Sequence, residues 1–392
     1  MMIVTHLKLK NWRNFQSVEV DLGRRMFLVG PNASGKSNLL DVFRFLRDIA
    51  ALEGGGLQRA LKERGGLKKI RCLSARRSPD VELEIHLGED SQQQALYKYA
   101  IGISQENSGL RRLLLTYEKV WQNDTLILDR PNEEDNKDAM RLTETYLEQI
   151  SRNADFRDVA YFFQSTLYLH LVPQLVRHAR EYSGPGIPGD PYGRNFLERI
   201  AHADERTKQA RLRKIERALQ LVVPQMKELK HVIDVKEGGV PHLEVIYEHW
   251  RPHGARQRET ELSDGTLRLI GLFWTMLEGE SLLLLEEPEL SLNAEVIRKL
   301  PALFSKLLKQ TKKSRQILVS THSWELLSDR GIGGEETLLL MPGTEGTDVR
   351  LASSNKDIRH LLEEGDLSVA DAVLPKTAPA KMSAGAQLDL FS

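Results

Sequence analysis

Gly30-Pro31-Asn32-Ala33-Ser34-Gly35-Lys36-Ser37 is the stretch on which the reading of this chain turns. Before it runs the apolar segment Met26-Phe27-Leu28-Val29. After it Leu39, Leu40, Val42, Phe43, Phe45, Leu46 and Ile49 predict a helix that is apolar on nearly every side, hence buried. Strand, Gly-x-x-x-x-Gly-Lys-Ser and helix together read as a phosphate-binding loop rather than a chance glycine-rich turn. Glycines let the backbone wrap closely so that its N–H groups face phosphates, and the helix N-terminus adds positive dipole. Gly30, Pro31, Asn32, Ala33, Ser34, Gly35, Lys36, Ser37 and Asn38 are the expected contacts of ATP. Lys36 is expected to reach its β- and γ-phosphates, and Ser37 to ligate Mg²⁺.

Outward from the loop, Ile3 to Leu9, Val18 to Leu22 and the segments between 81 and 130 alternate apolar and polar, as antiparallel strands do. The pattern from about 135 to 230 is helical, broken at Ser183 to Gly193 by glycine and proline. Strand-like segments return at 231 to 249, and a second strand-helix series runs from near 260 to about 352. From Pro375 the chain is rich in Ala, Pro and Lys and reads as a flexible tail. The expected division is 1–134, 135–260 as a helical lobe, 261–365, and a tail over 366–392. The 392 residues carry 55 basic and 55 acidic side chains, so any polyanion surface must be local. Cys72 is the single cysteine and can form no internal disulfide, which fits a reducing cytoplasm. No apolar run approaches membrane-spanning length, and the first residues lack the pattern of a signal peptide.

Three further segments carry candidate chemistry. Leu282-Leu283-Leu284-Leu285 reads as a buried strand delivering Glu286 and Glu287 at its end. Most paired acids are solvated surface, but at a strand end in a chain with a phosphate loop they have a use. Glu286 would hold Mg²⁺ through water, and Glu287 would polarise the attacking water. Gln316 to Thr321 is another buried strand, ending in His322, which could sense the γ-phosphate. Glu261-Leu262-Ser263-Asp264-Gly265-Thr266 precedes an apolar helix and by itself is an ordinary N-cap.

Taken together, these four pieces resemble ATP-binding-cassette ATPases in kind and in order: phosphate loop, signature, acidic strand, strand-end histidine. The opening Leu7 to Phe15, with its Asn11-Trp12-Arg13-Asn14-Phe15, and Gly-Pro-Asn-x-Ser-Gly-Lys-Ser-Asn resemble the SMC/RecF/OLD-like branch. Leu-Ser-Asp-Gly-Thr and Glu-Glu-Pro-Glu look most like its stand-alone AAA-21 group, often found in defence or repair loci. The resemblance covers Met1 to about residue 365. It implies an α/β ABC-type head, with a mixed sheet core, an antiparallel β-subdomain and a helical lobe. It also implies a homodimer sandwiching two ATPs, in which Ser263, Asp264 and Gly265 of one copy close on the γ-phosphate held by the other. Glu287, His322 and Lys36 would be the catalytic groups, and Ser37 and Glu286 the metal ligands. Glu286 stands where relatives carry Asp, which points to slow turnover. The glutamine of the family's Q-loop is either Gln149, which would open the helical lobe, or Gln164.

Candidate nucleic-acid surfaces are Lys68, Lys69 and Arg71 with Arg76 and Arg77; a helix face with Arg206, Lys208, Arg211, Arg213, Lys214 and Arg217; and Lys309, Lys312, Lys313 and Arg315. Gln387-Leu388-Asp389-Leu390-Phe391 looks like the short peptide by which bacterial proteins dock on the replication sliding clamp. The expected activity is that of an ATP-dependent, DNA-associated clamp or sensor governing a separate effector. The other reading is an ATP-gated scaffold that holds a toxin or nuclease and never touches DNA.

Overall fold

The structure, a computed structural model, describes residues 2–75, 80–89, 94–106, 111–179, 181, 189–235, 238–249, 255–279, 281–309, 315–363 and 367–377. The chain opens with strands β1 (Ile3–Trp12), β2 (Phe15–Asp21) and β3 (Arg25–Val29), then helices α1 (Lys36–Ala50), α2 (Leu57–Glu63) and α3 (Leu67–Ile70). Strands β4 (Val81–Gly88), β5 (Tyr97–Gln105), β6 (Leu113–Gln122) and β7 (Thr125–Arg130) follow, then helices α4 (Glu133–Lys137) and α5 (Arg157–Gln164). Next come β8 (Leu167–Leu169), α6 (Pro173–Arg177), α7 (Phe196–His202), α8 (Glu205–Leu219), β9 (Met226–Asp234), β10 (Val240–Tyr247) and β11 (Ala255–Arg258). The last part holds α9 (Asp264–Leu277), β12 (Leu283–Glu286), α10 (Ala294–Lys309), β13 (Ile317–Thr321), α11 (Trp324–Leu327), β14 (Thr337–Pro342), β15 (Thr347–Leu351), α12 (Lys356–Glu363) and α13 (Val369–Thr377).

Two compact units result, one of residues 1–166 with 316–392, the other of 167–315. In the first, β2, β1, β4, β5, β6 and β7 form an antiparallel sheet in that order. Its alternation is the expected one: Val81, Leu83, Ile85 and Leu87 of β4 are buried while Glu82, Glu84 and His86 between them are partly exposed. A second sheet runs β15, β14, β3, β13, with β3 parallel to both neighbours. Met26, Phe27, Leu28 and Val29 are fully buried, as expected of an apolar strand interior to a parallel sheet. In the second unit β8 and β12 pair in parallel, and β9, β10 and β11 form an antiparallel sheet. Helix α9, against which α6, α8 and α10 pack, buries every residue from Thr266 to Leu277.

The boundaries differ from those expected. Residues 135–166 belong with the first unit. The buried Glu118 carboxylate accepts the N–H groups of Tyr146 and Leu147, and α5 packs on α1. Arg130 closes this arrangement, donating to Glu118 at 2.9 Å and to Asp135 at 2.9 and 3.0 Å with its guanidinium 4.0 Å from the Tyr146 ring centre. Charge pairs this deeply buried hold their place through such complete hydrogen bonding. The lobe expected over 135–260 is also less helical, since β9, β10 and β11 occupy much of its second half. The flexible tail expected from 366 is corrected too: α13 forms over Val369–Thr377 and buries Val369, Ala370, Ala372 and Val373. Ser368 and Asp371 cap its start reciprocally, each side chain accepting the other's backbone N–H. The Gln387–Phe391 peptide lies outside the described residues, as do Arg76, Arg77, Lys312 and Lys313.

Glu148 accepts the N–H of Leu57 at 2.8 Å, and burial pushes its carboxyl up to about 7. A folded-state value above the unfolded one means the native chain binds the extra proton, so this group's contribution falls as pH rises from about 4.5 to about 7. Glu148→Gln keeps an acceptor for Leu57. We expect it to be more resistant to urea than the wild type at pH 8, with the difference vanishing towards pH 4.5. A difference independent of pH would contradict the burial of an ionisable group there.

Candidate functional site

The phosphate loop leaves β3 at Val29 and enters α1 at Lys36. Two of its glycines are required for separate reasons. At Gly30 a Cβ would meet the Leu340 carbonyl oxygen at 2.5 Å, so no larger residue fits between loop and β14. At Gly35, which caps α1 with φ of 98°, a Cβ would lie 2.2 Å from the Asn14 side chain. Lys36 is buried and its Nζ donates to the carbonyls of Gly30 at 2.8 Å and Pro31 at 3.2 Å, arching the loop around the ammonium group. Asn32, Ala33 and Ser37 face solvent, Asn38 is half-exposed, and the Ser34 hydroxyl is buried without a hydrogen-bond partner. A cationic cradle at the open N-terminus of a fifteen-residue helix fits a nucleotide's phosphates.

A turn between β1 and β2 holds this loop in place. Asn14 Nδ2 donates to the Ser34 carbonyl at 2.9 Å and to Thr347 Oγ1 at 2.8 Å, while its oxygen accepts from Asn38 at 2.8 Å. Trp12 donates to the Asn38 carbonyl at 2.9 Å. Arg13 pairs with Asp41 of α1 at 2.6 Å, and Arg64 meets the same carboxylate at 2.9 Å. Burial alone would raise the Asp41 carboxyl, but the two guanidinium groups outweigh it and hold the group below its ordinary value. In sequence Asn14 and Arg13 stand out only as family wording, and nothing there assigns either a contact. The asparagine's adjacency to the loop was the missing piece.

His322 follows β13, whose last residue, Thr321, pairs with Val29 of β3. The parallel register therefore sets His322 beside Gly30 at the carboxyl ends of neighbouring strands, exposed to solvent. The two candidate glutamines are placed elsewhere. Gln164 donates to the Ala50 carbonyl at the far end of α1, about 20 Å along the helix from Lys36. Gln149 is bound to Glu144 in a surface turn next to Glu148, whose carboxylate reaches Leu57 beyond that same end. Neither reaches the phosphate loop, because the segment carrying both is anchored by Glu118 and by the C-terminal half of α1.

The second unit carries the acids and the signature. Glu286 ends β12, and its carboxylate accepts a hydrogen bond from Tyr168 of β8 while its carbonyl lies 3.2 Å from His170 Nδ1. Glu287 takes φ of 45°, a left-handed conformation uncommon outside glycine and concentrated at functional positions. Ser263 caps α9, accepting from the Thr266 N–H, and remains exposed. Asp264 is gripped by Gln174 at 2.8 Å and Arg177 at 2.7 Å, both from α6. At Gly265 a Cβ would lie 2.9 Å from the Ser291 carbonyl oxygen, so the helix start and the segment after the acids pack backbone to backbone. Tyr168, Gln174 and Arg177 carried no motif that would have found them. Arg315, expected on a basic surface, is instead buried. It donates to the carbonyls of Ser281 at 2.8 Å and Thr275 at 2.6 Å, capping the C-terminal end of α9. Burial pushes its guanidinium down to about 9.

Parallel strand, phosphate loop, buried lysine and strand-end histidine in one unit, with an acidic strand and a capped, buried helix in the other, are the parts of a P-loop nucleotide-binding fold. Residues 25–328 match the family model described as AAA domain, putative AbiEii toxin, Type IV TA system. The chain belongs to this AAA_21 family. No curated protein sequence matches it. Among solved structures it is similar to an Smc head bound to the C-winged helix domain of ScpA. That similarity has 13% identity, a TM-score of 0.55, and covers 89% of this chain and 97% of that one. A second is the Smc head domain with an extended coiled coil bound to the C-terminal domain of ScpA from Pyrococcus furiosus, at 12% identity, TM-score 0.51, covering 89% and 96%. These likenesses show the fold. Among the described residues no helix is long and apolar enough to cross a membrane.

The Asn14 bracket makes a checkable claim. Asn14→Ala removes three hydrogen bonds around the loop, each worth about 0.5–1.5 kcal/mol. ATP affinity by calorimetry is expected to fall about tenfold or more. Unchanged affinity would mean the loop holds its shape without this side chain.

Proposed function

We propose that the protein binds ATP with Mg²⁺ and hydrolyses it slowly in a head-to-head homodimer, as a cytoplasmic, DNA-associated clamp or sensor. One observation carries the dimer reading. The chain presents two exposed helix N-termini suited to phosphate: α1 behind the loop of Gly30 to Asn38, and α9 behind Ser263, Asp264 and Gly265. Each is built for an anion, and a nucleotide sandwiched between two copies would use both.

In this reading Lys36 meets the β- and γ-phosphates, Ser37 and Glu286 hold Mg²⁺, Glu287 orients the attacking water, and His322 reports on the γ-phosphate. Mg²⁺ would supply charge neutralisation at the phosphates. Tyr168, hydrogen-bonded to Glu286, would fix the carboxylate's direction and offset the extra methylene relative to Asp. ATP then works as the glue of the dimer and its hydrolysis as the release, controlling a separate effector in defence or repair. The ScpA domains bound to the two Smc heads support a partner-controlling role for heads of this fold. The second reading is an ATP-gated scaffold holding a toxin or nuclease partner without DNA; the family's description ties that family to a Type IV toxin–antitoxin system rather than to DNA.

Glu287→Gln is expected to bind ATP, lose at least about a hundredfold in turnover, and elute as a dimer with ATP but not ADP in size-exclusion chromatography with light scattering. Lys36→Ala is expected to remain monomeric and bind no ATP. A Glu287→Gln chain that binds ATP yet stays monomeric at high protein concentration would refute the sandwich. DNA stimulation of wild-type ATPase activity separates clamp from scaffold.

A further inference from the structure

In the second unit, α8 and α10 lie side by side on α9, and the cleft between them is a cavity of about 230 Å³. Its lining is Lys214, Arg217 and Ala218 from α8 and Leu303, Lys306 and Leu307 from α10. The cations continue in both directions at helical spacing. Arg206, Arg213 and Arg217 stand exposed along α8, and Lys299, Lys306 and Lys309 along α10. Among the described residues Arg217, Lys299, Lys306 and Lys309 make no ion pair. The acidic residues of the two helices are committed elsewhere: Glu205 to Lys208, Glu216 to the Leu229 N–H, and Glu295 to Arg298. Lys208 and Arg211, which sequence placed on the same face, turn away from it: Lys208 is buried, and Arg211 stacks on Trp274 of α9 with 5.2 Å to the ring centre.

We propose that this cleft is a phosphodiester-backbone site that holds one strand of duplex nucleic acid over the signature helix. The inference rests on the DNA-associated reading above and names its surface. Each row steps seven residues, about 10 Å, between Arg206 and Arg213 and between Lys299 and Lys306. That is close to three phosphates of one strand at about 3.4 Å each along the duplex axis. Two packed helices place the rows about 8–10 Å apart, so flexible side chains reach a single backbone from both sides. An acidic amphipathic peptide would need apolar surface as well as charge. Ala218, Leu303 and Leu307 are already buried by the helix packing, so the surface on offer is cationic. Because α8 and α10 both pack on α9, whose N-cap is Ser263, a strand held here bears on the helix that would close on ATP.

The test is fluorescence anisotropy of a labelled 30-base-pair duplex with the full chain and ATP, between 50 and 200 mM KCl. Arg217→Ala/Lys299→Ala/Lys306→Ala is expected to bind at least about tenfold more weakly at 50 mM. Its slope of log affinity against log salt should be smaller by nearly three, about 0.9 for each lost contact. Arg217→Lys/Lys299→Arg/Lys306→Arg keeps the charges and is expected to bind as the wild type does. Equal thermal unfolding midpoints in all three proteins show that the variants are folded. If the wild type binds DNA and the alanine variant keeps its affinity and slope, this surface is wrong and the DNA reading stands. If the wild type does not bind at 50 mM, both fall. Displacement of the duplex by polyglutamate at equal charge would replace the nucleic acid with an acidic protein partner.

Discussion

The carboxamide of Asn14 is the group on which the nucleotide-facing unit turns. It touches the loop at Ser34, the first turn of α1 at Asn38, and β15 at Thr347. Ser34 and Asn38 flank Lys36 within one short stretch while Thr347 lies far along the chain, and the loop has little apolar surface of its own to hold it. With Gly30 pressed against the Leu340 carbonyl on one side and Gly35 against Asn14 on the other, the backbone has one shape available. A loop held in that shape presents the helix N-terminus and the lysine without further ordering.

The second unit solves a related problem by different means. Its helix α9 is buried from Thr266 to Leu277, so its C-terminal end would leave carbonyls unsatisfied in the interior. Arg315 meets those carbonyls, Ser263 caps the exposed start by accepting the Thr266 N–H, and α6 fixes Asp264. A helix so pinned is a rigid element of the second unit. The depressed guanidinium of Arg315 and the left-handed Glu287 mark where folding stability is given up for position.

Much of this was legible in the residues themselves. Local patterns reach the strand before the phosphate loop, the buried helix after it, the leucine strand ahead of Glu286 and Glu287, and the N-cap at Ser263. Each is a contiguous run whose periodicity and capping residues act within a few positions. The glutamines were ambiguous because their motif is one residue long. Arg315 was misplaced because a cation next to a lysine run reads as surface until the carbonyls it caps are known. The helix over Val369–Thr377 hid behind the composition of the residues after it, although its Ser368–Asp371 capping box was there to be read.

What the sequence by itself determined is therefore the chemistry: which residues can cradle phosphate, carry a metal, or cap a helix, since these depend on residue type and short spacing. The tertiary structure decided their company. That His322 stands beside Gly30 follows from the register of β13 on β3, and that Tyr168 holds Glu286 follows from β8 pairing with β12. That Asn14 brackets the loop depends on a hairpin closing over α1. Strand register and long-range side-chain contacts are set by the packing of the whole core, which no local pattern encodes. The opening loop thus has the wording of a phosphate loop by its own letters, and a fixed shape by virtue of residues as distant as Thr347.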